Sequence, residues 1–99
     1  MDIRIIYKGV GEWPERVEMP ETLAALEAAV GGPIEVHTFG PNAAIVCNRE
    51  GAIKGAPYNC HCLGVDWHGP LLIVGLEEKG FCSIPERSMP WIEAMVRGK

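Results

Sequence analysis

The chain has 99 residues, 47% of them hydrophobic, and a formal charge of -4. That is enough apolar side chain for one two-layered core and too little length for a second, so a single domain over residues 1–99 is expected. Seven acids stand against three bases over residues 1–39, and six against six over residues 40–99; Lys and Arg so scattered and outnumbered argue against holding nucleic acid by phosphate neutralisation.

The longest apolar run, Pro70–Gly75, is far short of the about 20 residues that span a bilayer, so no membrane association is expected. The first residues, MDIRIIYKG, carry charge where a secretory leader needs an unbroken apolar core. A cytoplasmic chain is the expectation, with Cys47, Cys60, Cys62 and Cys82 as thiols or metal ligands rather than disulfides.

Residues 2–8 alternate, with Ile3, Ile5 and Tyr7 on one side and Arg4, Ile6 and Lys8 on the other, which is the period of a half-buried strand. The glycines at 9 and 11 and the Trp13-Pro14 pair break the run, and residues 16–19 alternate again. A hairpin over 1–19 with a charged outer face follows. Pro20 and Glu21 suit the first turn of a helix; Leu23, Leu26 and Val30 give it an apolar stripe, and Gly31-Gly32-Pro33 stops it. The spacing predicts a helix over about residues 21–30.

Residues 33–39 and 43–48 flank a Gly40-Pro41-Asn42 turn and should pair as an antiparallel hairpin. Arg49–Gly51 makes another turn, and residues 52–54 form at most a short strand. Residues 55–69 hold three glycines and a proline without a clean period, and so large a loop in a small domain is usually functional or mobile. Leu71–Leu76 is continuously apolar between turn signals, the pattern of a central strand buried on both faces. Gly80–Cys82 is a last short strand.

Ser83 and Glu86 have the spacing of a capping box. Pro90 cannot donate inside a helix, which divides this region into a turn at 84–88 and a helix at about 89–97, capped by Ser88, with Trp91, Ile92, Met95 and Val96 as its apolar face. The predicted class is α+β: a mostly antiparallel sheet of about five strands, with two short helices packed on one face.

Among chemistry-bearing residues, Cys60-His61-Cys62 with His68 gathers sulfur and imidazole, the preferred donors of zinc. A C-x-C pair is tighter than the usual knuckle, so Cys60, Cys62 and His68 are metal candidates set against a plain reading as core thiols and surface imidazole. A nucleophile built from Cys60 or Cys62, His61 or His68 and Asp66 requires neighbours in sequence to face one another, and no flanking motif supports it. No catalytic residue is assigned, and the chain is not expected to be an enzyme. Lys54-Gly55 with Asn59 suggests an anion-binding loop, though the phosphate-loop spacing is missing. Tyr58, Trp67 and Trp13 lie in Gly/Pro-rich stretches, where exposed rings would anchor a protein partner and folded-back rings would cover the core edge.

Gly32–Val36, Val46–Gly51, Lys54-Gly55, Pro57 and Asn59, then the apolar 71–75 run and Phe81, resemble a small uncharacterised family carried by phages and mobile elements of Gram-positive bacteria, domain of unknown function 3846. The resemblance implies an accessory product of a mobile element and no known reaction. After Asn59 this family tends to be polar or basic, so Cys60-His61-Cys62 is particular to this chain.

The leading functional expectation is a non-enzymatic protein of a phage or mobile element that binds a host protein, such as a defence or regulatory component, through the acidic N-terminal hairpin and the 55–69 loop. The alternative is a binder of a nucleotide or other small anion using Lys54 and Asn59. A zinc-stabilised module is the third reading, and an exposed sheet edge leaves a homodimer open.

Overall fold

The structure, a computed structural model, describes residues 1–51 and 53–97. Its strands are β1 (Asp2–Lys8), β2 (Glu15–Pro20), β3 (Ile34–Phe39), β4 (Ala43–Asn48), β5 (Tyr58–Cys62), β6 (Val65–His68), β7 (Leu71–Glu77) and β8 (Gly80–Cys82). Its helices are α1 (Leu23–Val30) and α2 (Met89–Met95). The main sheet runs β2-β1-β7-β4-β3 with β8 also paired to β7, and β5 and β6 form a separate two-stranded sheet. Every pairing is antiparallel.

The continuous apolar run does become the central strand. Leu71, Leu72, Ile73 and Val74 are all 0% exposed, because β7 lies between β1 and β4 and both of its faces are covered. On one face, Leu26 and Val30 of α1 pack with Ile3, Ile5, Ala44, Val46, Leu72 and Val74. On the other, Ile6, Ile45, Cys47, Leu71 and Ile73 meet Met89 and Ile92 of α2, Val96 just beyond it, and Cys60, Cys62 and Trp67 of the β5–β6 hairpin.

Three corrections to the expected fold follow. The sheet has six strands rather than about five, and a two-stranded hairpin stands beside it. The helices pack on opposite faces. The cause is visible in β1 and β7, where neighbouring residues such as Ile5 and Ile6 are both apolar: side chains of both parities need cover, and one face of helices cannot supply it. The expected 55–69 loop is mostly the β5–β6 hairpin, whose strands join through Leu63 at φ 54 and Gly64 at φ 73. Two successive left-handed residues match the right-handed twist of the strands they connect.

Helix α1 begins later than expected. Thr22 caps it, its Oγ1 accepting from the Ala25 N–H at 3.2 Å, while Pro20 closes β2 opposite Asp2. Leu23 is therefore 56% exposed and outside the apolar stripe. The stop is as expected: Gly31 is left-handed at φ 84, and its N–H donates to the Glu27 carbonyl.

Ser83 does not cap a helix. Its Oγ accepts from the Arg4 N–H at 2.9 Å, tying the chain after β8 back to β1. A 3-10 turn at Glu86–Ser88 leads into α2, and the Ser88 side chain makes no capping bond. Gly75 permits the crossover, since a Cβ there would lie 2.5 Å from the Ser83 carbonyl oxygen. Of the short strand expected over 52–54, residue 52 lies outside the described residues and residues 53 and 54 are in a turn. Among the described residues, no helix is long and apolar enough to cross a membrane.

Candidate functional site

Asn59, expected to bind ligand, is 2% exposed and serves as a clasp inside the fold. Its amide nitrogen donates to the carbonyls of Lys8 and Gly69 at 2.9 and 2.8 Å, and its Oδ1 accepts from Lys8 Nζ at 2.9 Å. Lys8 Nζ also donates to the Gly9 carbonyl at 3.0 Å. Lys8 is 0% exposed, although strand alternation puts it on the charged side of β1. Burial lowers its pKa, partly countered by Cys60 and Glu12. The clasp joins the end of β1 to the root of the β5–β6 hairpin.

The other expected binding residues divide. Lys54 is exposed and pairs with Glu50 at 3.0 Å. Trp67 is 5% exposed and belongs to the core, its Nε1 donating to the Cys62 carbonyl at 3.1 Å and its ring edge-on to His37 at 4.9 Å. As a contact residue it is withdrawn: alternation along β6 turns it inward opposite Cys60. Tyr58 and Trp13 remain 52% and 55% exposed, with Tyr58 edge-on to His68.

Cys60, Cys62 and His68 do not converge. The cysteines point into the core, and burial pushes both thiols up, Cys62 to about 11. The Nδ1 of His68 instead faces the Ala56 carbonyl at 3.2 Å. His61 and Asp66 do meet, at 2.8 Å, on the exposed side of the hairpin away from the sulfurs. One residue of β5 separates each thiol from that imidazole, and a strand turns consecutive side chains to opposite faces.

Trp91, expected in the core, is 52% exposed and lines an apolar groove beside α2. This groove, about 280 Å³, lies between the β3–β4 turn and α2. Phe39, Pro41, Ile84, Pro85, Trp91 and Ile92 give its apolar lining, and Asn42, Arg87 and Ser88 its polar groups. The Phe39 and Trp91 rings meet edge to face at 6.2 Å and 88°.

Charge around this groove is unevenly satisfied. Arg16 of β2 donates from Nε and Nη2 to Glu93 of α2 at 3.0 and 2.9 Å, and Arg4 pairs with Glu86. The Arg16 hydrogen bond holds the Glu93 carboxyl below its usual range. Arg87 has no ion pair among the described residues. Sequence reasoning missed this site because Phe39 and Trp91 are far apart in the chain and only the sheet order brings them together. The one local signal was a Trp directly after the Pro of a helix start.

The sequence model of a family described as domain of unknown function (DUF3846) matches residues 3–97. No curated protein and no solved structure matches the chain.

Proposed function

We infer that this chain, which belongs to the domain of unknown function 3846 family, is a non-enzymatic accessory protein that acts by binding another protein. The observation that supports this most is the groove. A half-exposed Trp, a facing Phe and a guanidinium with no ion pair among the described residues, set around an apolar recess, are the residue types that dominate binding energy at protein interfaces.

The occupant it suits is an extended segment of the partner that places an apolar side chain against Phe39 and Trp91 and a carboxylate on Arg87. A host protein as partner, and the cytoplasm as the place of action, belong to this proposal and rest on the resemblance to products of phages and mobile elements. The N-terminal hairpin enters as a second contact through Trp13 and the exposed acids of β2, Glu15 and Glu18. The small-anion alternative is not carried forward, since Asn59 is fully engaged inside the fold and Lys54 is paired with Glu50.

Selection from a random peptide library displayed on phage tests the reading. Enriched sequences should combine an apolar anchor with an adjacent Asp or Glu, and their affinity should fall about tenfold or more for Trp91→Ala and for Arg87→Glu, as expected of interface anchors. Absence of enrichment, or peptides whose binding ignores both substitutions, would overturn it.

A further inference from the structure

A second recess, about 150 Å³, opens where the outer strand β3 and its neighbour β4 meet the β5–β6 hairpin. Glu35, His37 and Cys47 line it and bring a carboxylate oxygen, an imidazole nitrogen and a sulfur within 4.8 Å of one another. Strand geometry places them there. Glu35 and His37 are two residues apart on β3 and so share a face, and Cys47 stands opposite Glu35 in the β3–β4 ladder. From β6, Asp66 and His68 line the same cleft.

We propose that Glu35, His37 and Cys47 form a binding site for one divalent ion of the zinc class, its fourth position completed by water or by a donor from β6. These are not Cys60, Cys62 and His68, the ligands expected from spacing. A mixed oxygen, nitrogen and sulfur set selects a borderline ion over calcium or magnesium, which take oxygen donors. Metal–ligand distances of about 2.0–2.3 Å put tetrahedral donors about 3.3–3.7 Å apart, so modest side-chain rotations within the observed 4.8 Å bring the three into place. Glu35 Oε2 and His37 Nε2, now 2.9 Å apart in a hydrogen bond, exchange that contact for the ion.

Charge also balances. One carboxylate and one thiolate neutralise a divalent cation, and the thiol proton leaves to solvent. The site is thus neutral beside an apolar core, which avoids the cost of an uncompensated buried charge. The His37 ring is already held edge-on by the buried Trp67, the kind of support that fixes a ligand before the metal arrives. Arg49, the cation in this cleft, directs its Nη2 to the Ile34 carbonyl at 3.3 Å. A bound ion would pin the edge strand β3 to β4.

Titration of the metal-stripped 99-residue chain with Co(II) is the test. The expected result is a thiolate-to-cobalt charge-transfer band saturating at one ion per chain, erased by added zinc. That band should be lost in Cys47→Ala and kept in Cys60→Ala. Glu35→Gln and His37→Gln, at partly exposed positions, should keep the wild-type circular dichroism and weaken Co(II) binding about tenfold or more. They decide the matter if Cys47→Ala does not fold. Absence of the band, its survival in Cys47→Ala, its loss in Cys60→Ala, or unchanged affinity in both the Glu35 and His37 variants would overturn the site.

Discussion

A buried ammonium must be solvated by the protein's own dipoles, and Lys8 receives that from Asn59 and the Gly9 carbonyl, with the charge of Glu12 adding to it. The two partners are therefore unequal. Asn59→Leu leaves a buried cation short of an acceptor and strips the Lys8 and Gly69 carbonyls of their donor, so it should cost about 3–5 kcal/mol. Lys8→Met leaves only two neutral acceptors, the Asn59 Oδ1 and the Gly9 carbonyl, without their donor and should cost about 1–3 kcal/mol. Urea denaturation measures both, and equal or reversed costs would contradict this description of the clasp. Lys8 could not be read correctly from the sequence, because its companion is 51 residues away; strand alternation gives its side of β1, and nothing local says that side is buried there.

The core thiols give a pH dependence of definite sign. An unfolded Cys62 ionises near about pH 8.5, whereas burial in the fold pushes its thiol up to about 11. Between those values the native state holds a proton that the unfolded state has lost, so stability is complete below the lower pH and falls as pH rises toward the upper, by up to about 1.4 kcal/mol per pH unit. Lys8, with its lowered pKa, works in the opposite sense at alkaline pH. Urea midpoints from pH 8 to 11 should therefore fall less steeply for Cys62→Ala than for the parent chain. Identical slopes would show that the Cys62 thiol is not held in its protonated form.

At the scale of elements, the β5–β6 hairpin carries a local strain that can be relieved. Leu63 has φ 54 and is half exposed, and a left-handed backbone costs a residue with an ordinary Cβ about 1–2 kcal/mol. Asn tolerates this conformation and is favoured before Gly in two-residue hairpin turns. Leu63→Asn should raise the urea midpoint by an amount corresponding to roughly 1 kcal/mol; a lower midpoint would mean that the Leu63 side chain packs usefully at the tip. The elements that were legible are those with local signals: the central strand from its unbroken apolar run, α1 from its stripe and Gly-Gly stop, and the β3–β4 hairpin from Gly40-Pro41-Asn42. The β5–β6 hairpin was not, since its turn has Leu where Asn or Asp is usual and a bulge after Tyr58 breaks the alternation.

Across the whole molecule, apolar residues of both parities in β1 and β7 demand two covers, and α1 supplies one while α2 and the hairpin share the other. That division creates both recesses. The groove lies where α2 meets the β3–β4 turn, and the cleft with Glu35, His37 and Cys47 lies where the hairpin meets β3 and β4. The groove was not legible in the chain, because only the strand order brings Phe39 to Trp91; the three donors of the cleft lie within the legible β3–β4 hairpin, and what was not legible is the register that sets Cys47 opposite Glu35 and the cover from β6. Of the expected binding residues, the structure leaves Tyr58, Trp13 and Lys54 at the surface and takes Asn59 and Trp67 inside. The proposed protein binding at the groove is tested most directly by photo-crosslinking in a bacterial lysate, with benzoylphenylalanine replacing Trp91 in one protein and Leu23, on the opposite face, in another. The prediction is one saturable adduct from position 91, suppressed by excess unmodified chain and by the selected acidic-apolar peptide, and missing from position 23. Equal adducts from both positions, or none from position 91, would contradict it.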